Sequence, residues 1–263
     1  MSLIKRRLAE FINQLGYEIS RKPSFKVVGE VQDAFNEQKR ICQFLAKDVK
    51  VVFDVGANIG QSAAKYRSLF SLATVYSFEP SKSCYSEIVT LAKKDSMIIP
   101  FNIALDCELG SSDFYDTGGQ TASLLAPSDQ VSYFYPETYF EVKRVINVPV
   151  NTIDNICTVH NVLNIDILKM DTQGTEDKVL IGAENMLKGA HIDLIYTEVS
   201  FTEIYNDQVI FYELCRLLSQ YGYYLFNLYD FVRGSNGVIV GTDALFLRKE
   251  LYELVIRTNI GDE

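Results

Sequence analysis

Val51-Val52-Phe53-Asp54-Val55-Gly56-Ala57-Asn58-Ile59-Gly60, followed by Thr74-Val75-Tyr76-Ser77-Phe78-Glu79-Pro80, sets the architecture of this 263-residue chain. The segment reads as a buried strand, a glycine turn, a helix, a second strand and then a carboxylate, the layout of a nucleoside-binding α/β unit. Gly56 admits a positive φ, and Gly60 lets helix and ligand approach the backbone closely. Glu79 stands about 20 residues past the turn, where an acid at a strand end accepts hydrogen bonds from both ribose hydroxyls.

The same residues argue against a dinucleotide. A pyrophosphate site needs the G-x-G-x-x-G turn, whereas here the spacing is Gly56-x-x-x-Gly60 with Asp54 in front of it. A carboxylate there repels phosphate and suits the ammonium of an amino acid. Ribose, adenine and a cationic amino-acid tail together describe S-adenosylmethionine. The expected cradle is Asp54 for the ammonium, Gly56, Ala57, Asn58 and Gly60 for the turn, and Glu79 with Pro80 for the ribose. Ala104, Leu105 and Asp106, after the third strand, would read the adenine edge; Asp106 has an equal claim as the cap of the turn at Glu108-Leu109-Gly110.

The net charge is −9, with 48% hydrophobic and 22% charged residues. No global positive field exists to hold a phosphate backbone, so nucleic acid is not an expected partner. No run approaches the ~18 apolar residues of a membrane span. The basic start (Lys5, Arg6, Arg7, Arg21, Lys22) reads as a solvated helix face, without the pattern of a signal peptide. Five scattered cysteines without a C-x-x-C pair fit a reducing cytoplasm. Neither His160 nor His191 has a partner at metal-ligand spacing, so no metal site is expected.

Leu3, Ile4, Leu8, Phe11, Ile12 and Leu15 recur at helical spacing up to Gly16, and a second helix is expected from about Val31 to Leu45. Residues 1–47 would thus form a helical extension packed on a core domain of residues 48–263. Within that domain, strands at 51–55, 74–78, 98–102, 165–170, 192–198 and 223–227 alternate with helical patterns, which implies a doubly wound, mostly parallel α/β sheet. Residues 243–248 close it as an antiparallel hairpin with the preceding strand. Between Cys107 and Val150 the helical period disappears, and an insertion near 108–147 with short strands reads as a lid.

Ligands of open parallel sheets bind beyond the carboxyl ends of the strands, which singles out Asp54, Glu79, Asp171 and Glu198. Asp171 also qualifies as a helix cap. Glu176, in the first turn of the next helix, is as well explained by the helix macrodipole as by catalysis. Ser200-Phe201-Thr202-Glu203 is placed to face an acceptor. The aromatics from Tyr133 to Phe140 could stack on a sugar ring, but core or lid packing is the better reading of most of them.

The pair of blocks Asp54-Val-Gly-Ala-Asn-Ile-Gly60 with Phe78-Glu79-Pro80, and Leu168-Lys-Met-Asp-Thr-Gln-Gly-Thr-Glu176 with Gly182-Ala183, resembles the FkbM-type S-adenosylmethionine-dependent methyltransferases. The likeness extends from Val51 to Arg248, including Val150-Asn-Thr-Ile-Asp154 and Asp243-Ala-Leu-Phe246. It implies a seven-stranded class I methyltransferase sheet and methylation of hydroxyls on sugars or natural products. One departure stands out: the family usually has a second acid where this chain has Gln173. An amide orients a hydroxyl but takes no proton at neutral pH. It also leaves Asp171 and Glu176 as weak candidates for a hard cation.

Holding an acceptor oxygen in line with a methyl group supplies up to ~7–11 kcal/mol in favourable cases. A hydroxyl is a poor nucleophile until a carboxylate takes its proton, and Asp171 or Glu198 is expected in that role, with Glu176 a further candidate. The expected partner is a small-molecule or glycan hydroxyl; an amine acceptor, or a cofactor-binding role without turnover, is the competing expectation. The oligomeric state stays open, a homodimer included.

Overall fold

The computed structural model describes residues 33–257, so the helix expected over Leu3–Leu15 and most of the extension lie outside the described residues. The described chain begins at α1 (Ala34–Phe44), started by Asp33, whose Oδ1 accepts from the Phe35 and Asn36 amides at 2.8 and 3.2 Å. That carboxylate satisfies two of the donors every helix leaves unpaired at its start. Next come β1 (Val51–Val55), α2 (Gln61–Leu69), β2 (Thr74–Phe78), α3 (Lys82–Ala92) and β3 (Ile98–Phe101). A small insertion follows, with β4 (Ala104–Leu105), β5 (Gly110–Asp116), two 3-10 turns and β6 (Arg144–Asn151). The chain then adds α4 (Ile153–His160), β7 (Ile165–Met170), α5 (Glu176–Ile181), α6 (Glu184–Lys188), β8 (Ile192–Ser200), α7 (Phe211–Gln220), β9 (Tyr223–Arg233), β10 (Ile239–Arg248) and α8 (Lys249–Arg257).

The main sheet has seven strands in the order β3-β2-β1-β7-β8-β10-β9, and only β10 runs antiparallel to its neighbours. The chain leaves β1 outward to β2 and β3, then returns to place β7 on the other side of β1. That reversal makes the carboxyl ends of β1 and β7 the switch point at which such sheets bind ligands.

Helices cover both faces. Phe53, Val55, Leu168, Met170, Ile195 and Phe246 pack on one side with Ile153, Val179, Leu180, Leu187 and Leu218 from α4 to α7. On the other side, Val52, Ile167, Leu194 and Leu245 meet Ala34 and Ile41 of α1, Ala63 and Tyr66 of α2, and Leu251 and Val255 of α8. Every residue of β7 is buried, as befits a central parallel strand covered on both faces. Among the described residues no helix is long and apolar enough to cross a membrane.

The closing hairpin is longer than the apolar runs alone predict, 223–233 with 239–248. Its outer half carries Asp230 and Arg233 on the sheet edge, where polar side chains reach solvent, and irregular register near Gly241 interrupts the alternation. The insertion has a sheet and a small core of its own. β4, β6 and β5 form a separate three-stranded sheet, and Leu125, Val131 and Phe140 share a small core with Ile204 and Tyr205 of the loop after β8. Hydrogen bonds from Ser128 N to Ile204 O and from Asn206 N to Ala126 O, both 2.9 Å, fasten the two segments together.

Candidate active site

A cleft of about 450 Å³ opens beyond the carboxyl ends of β1, β2 and β7 and is roofed by residues 116–124 of the insertion. Its floor is the glycine turn. Gly56 N and Ala57 N donate to Phe78 O at 3.0 and 3.1 Å, which ties the turn to β2. Gly56 has φ +71, and a Cβ there would stand 1.9 Å from Asp171 O, so β1 and β7 meet backbone to backbone. Asn58 continues the turn in a left-handed conformation, φ +49, which asparagine tolerates.

Glu79 is 6% exposed and lines the cleft. Its two oxygens accept from Asn58 N and Ser81 N, each at 2.8 Å. Burial pushes its carboxyl up to about 7, against the pull of those two amides. Pro80, Ala104 and Leu105 line the same end, with Phe114 of the insertion beside them.

Four expected contacts fall elsewhere. Asp54 does not line the cleft: it is completely buried, and the cation it faces is Lys169, whose Nζ lies 3.2 Å from Oδ1. Lys169 Nζ also donates to Gly56 O at 3.1 Å and lies 3.6 Å from Asp171 Oδ2. Burial opposes the charge on Lys169, but Asp54 and then Asp171 outweigh it and hold the ammonium above its usual range. Gly60 serves packing, since a Cβ there would meet Leu91 Cδ1 at 2.6 Å, and Ala57 is fully buried. Asp106 caps its own turn, accepting from Cys107 N at 2.6 Å.

The second block supplies the acids. Asp171 and Glu198 both line the cleft, joined by Gln173, whose Nε2 donates to Asp171 Oδ1 at 2.8 Å and Glu198 Oε2 at 2.5 Å. Burial, followed by the charges of Asp171 and Glu176, raises the Glu198 carboxyl well above the usual range. Glu176 instead closes the turn: Oε1 accepts from Thr172 N and Thr172 Oγ1 at 2.9 and 2.8 Å, and Oε2 from Gly174 N at 3.1 Å. Its capacity is spent on backbone and threonine donors, and it is not among the residues lining the cleft.

Glu198 and Gln173 also face a second cavity of about 50 Å³, walled by Tyr135, Phe140, Tyr205 and Val240. Ser200 opens onto it, while Phe201 packs edge-on against Phe211. Of the insertion aromatics, Tyr135 and Phe140 wall this cavity, and Tyr133 and Tyr139 point to solvent. Among the described residues no group of three or more His, Cys, Asp or Glu is arranged to hold a metal ion. His160 packs edge-on to Tyr76 and Phe101, and His191 bonds Asn164 at 2.9 Å.

Sequence reasoning did not single out Lys169, Tyr205 or Asp243. Lys169 carried a usable signal, because a lysine alternating with buried apolar residues in a central strand must be paired. Asp243 lies opposite Glu198 in the β10–β8 register and accepts from Tyr196 Oη; burial pushes its carboxyl up to about 6. Tyr205 sits in a loop, and its hydroxyl reaches Thr121 O and Gln173 Oε1, far away in sequence.

Residues 54–225 match the model of the methyltransferase FkbM domain. Over 215 residues, 78% of this chain and 81% of the relative, the sequence is 25% identical to 2-O-methyltransferase NoeI of Sinorhizobium fredii (strain NBRC 101917 / NGR234). Among solved structures, methyltransferase FkbM from Methylobacillus flagellatus KT aligns at 17% identity and a TM-score of 0.47, over 76% of this chain but only 44% of its own. Magnesium protoporphyrin IX methyltransferase (ChlM) from Synechocystis PCC 6803, solved with bound SAM, aligns at 10% identity and a TM-score of 0.42, over 94% of this chain and 98% of its own.

Proposed function

The chain belongs to the FkbM methyltransferase family, and from that premise we propose that it transfers the methyl group of S-adenosylmethionine to a hydroxyl of a saccharide or another small acceptor. The observation that carries this reading is the position of Glu198, a carboxyl with a raised proton affinity that faces the cleft on one side and the aromatic-walled cavity on the other.

The residues present fit the cofactor. The Gly56 turn leaves backbone open to the cleft, Glu79 offers buried acceptor oxygens at the ribose end, and Ala104, Leu105 and Phe114 give an apolar wall for a purine. Because Lys169 occupies Asp54, the ammonium is assigned to Asp171, the acid just past the end of β7 that does line the cleft. When bound, S-adenosylmethionine supplies a sulfonium-activated methyl group.

The chain's own residues do the rest. Glu79 accepts the ribose hydroxyls once ionised. Glu198 receives the acceptor hydroxyl's proton as the new C–O bond forms, a role its raised affinity for protons suits. Tyr135 and Phe140 give an apolar surface for the acceptor, and segment 108–147 acts as a lid that keeps water from the site. The relative described as a 2-O-methyltransferase favours oxygen over nitrogen as the atom methylated.

The test is transfer of labelled methyl from S-adenosylmethionine to a panel of free and nucleotide-linked sugars. Glu198→Gln is expected to keep cofactor binding and to lose about 10²–10⁴-fold in rate. Unchanged transfer by that variant would remove Glu198 from the mechanism, and label appearing only on amines would overturn the acceptor class.

A further inference from the structure

We infer that Gln173 is a positioning residue whose side-chain amide takes the place that a bridging cation would hold between Asp171 and Glu198. The inference rests on the reading of Glu198 as the base, and it concerns what keeps that base beside a second acid.

Two carboxylates in contact raise each other's proton affinity, and such a pair survives by sharing a proton, binding a cation or receiving a donor. Here the donor is present. Gln173 Nε2 has two hydrogens and spends one on Asp171 Oδ1 at 2.8 Å and the other on Glu198 Oε2 at 2.5 Å. The amide brings no charge and has no proton to lose at neutral pH.

The far end of the amide is held as well. Tyr205 Oη lies 2.9 Å from Gln173 Oε1 and 3.0 Å from Thr121 O, donating toward both. A turned amide would aim its oxygen at two acids in place of the donor that now bridges them. The Gln173 backbone is held too: φ is +59, and its carbonyl accepts from Ser123 Oγ at 2.7 Å. Thr121 and Ser123 both belong to the roof of the cleft, so roof, amide and acid pair form one hydrogen-bonded unit.

An acid at position 173 would change the balance. Three carboxylates would converge where one amide now bridges two, and hard divalent cations bind such oxygen clusters. Mn²⁺ titration followed by electron paramagnetic resonance tests this without any acceptor, alongside calorimetry with S-adenosylhomocysteine. The wild type is expected to leave the free-ion spectrum unchanged, while Gln173→Glu binds one equivalent and, without Mn²⁺, still binds S-adenosylhomocysteine. Gln173→Met, which keeps length and removes the donor, is expected to move upward the pH at which the infrared carboxyl band assigned to Glu198 by its absence in Glu198→Gln is lost.

A folded Gln173→Glu that binds no Mn²⁺ would overturn the inference, as would Mn²⁺ bound by the wild type and released by Glu198→Gln. Should Gln173→Glu not fold, the wild-type titration and the Gln173→Met spectrum decide, an unmoved carboxyl titration counting against. Failure of the wild type to bind S-adenosylhomocysteine would instead count against the cofactor reading, and leaves the Mn²⁺ result readable.

Discussion

The carbonyl oxygen of Asp171 lies 1.9 Å from the point where a Cβ on Gly56 would stand, so the two strand ends that build the cleft leave no room for a side chain between them. Gly56→Ala must therefore push β1 and β7 apart as well as occupy φ +71, a conformation that costs an L-residue about 1–2 kcal/mol. The expected outcome is at least a tenfold loss of S-adenosylhomocysteine affinity by calorimetry, with a lower melting temperature.

Glu79 makes cofactor binding depend on pH. Its carboxyl is pushed up to about 7 by burial, and it accepts ribose hydroxyls best when ionised. Affinity for S-adenosylhomocysteine should hold above pH 7 and fall below it, by up to about tenfold per pH unit. Glu79→Gln should bind weakly and with a flat pH profile between 5 and 8. The stability of the free protein runs the other way: a folded pKa above the unfolded one favours the native state at low pH and loses that contribution as pH rises from about 4.5 to 7.

Lys169 is the counter-ion of a carboxylate with no exposure to water. Lys169→Met leaves Asp54 buried without its partner, and stability should drop by about 3–5 kcal/mol in chemical denaturation near neutral pH. Because burial already raises Asp54, the deficit should shrink on acidification as that carboxyl takes up a proton. A loss independent of pH would show that Lys169 acts through packing alone.

Glu198 must lose a proton before it can accept one. Since burial and Asp171 raise its proton affinity, methyl transfer should climb as pH rises past the usual carboxylate range, and the climb should vanish with the activity in Glu198→Gln. A rate flat from pH 5 to 9 would mean that another group takes the hydroxyl proton.

Much of the fold was legible because its strands are short apolar runs bounded by glycine, and because a parallel sheet fixes where strand-end acids gather. Val51–Val55, Thr74–Phe78 and Ile165–Met170 occur at the expected bounds. That Glu79, Asp171 and Glu198 gather at one cleft was legible for the same reason. It was not legible at Asp54, since the reading of an acid before a glycine turn as an ammonium ligand overlooked a lysine two strand positions from Asp171. It was not legible in the insertion either, whose order comes from pairing with residues 204–206 and from Tyr205 reaching back to Gln173, contacts that local periodicity does not encode.

Calorimetry with S-adenosylhomocysteine tests the central claim most directly. One equivalent should bind to the wild type and to Glu198→Gln alike, and bind at least tenfold more weakly to Glu79→Ala. No binding to the wild type, or undiminished binding to Glu79→Ala, would contradict the assignment of this cleft to the cofactor.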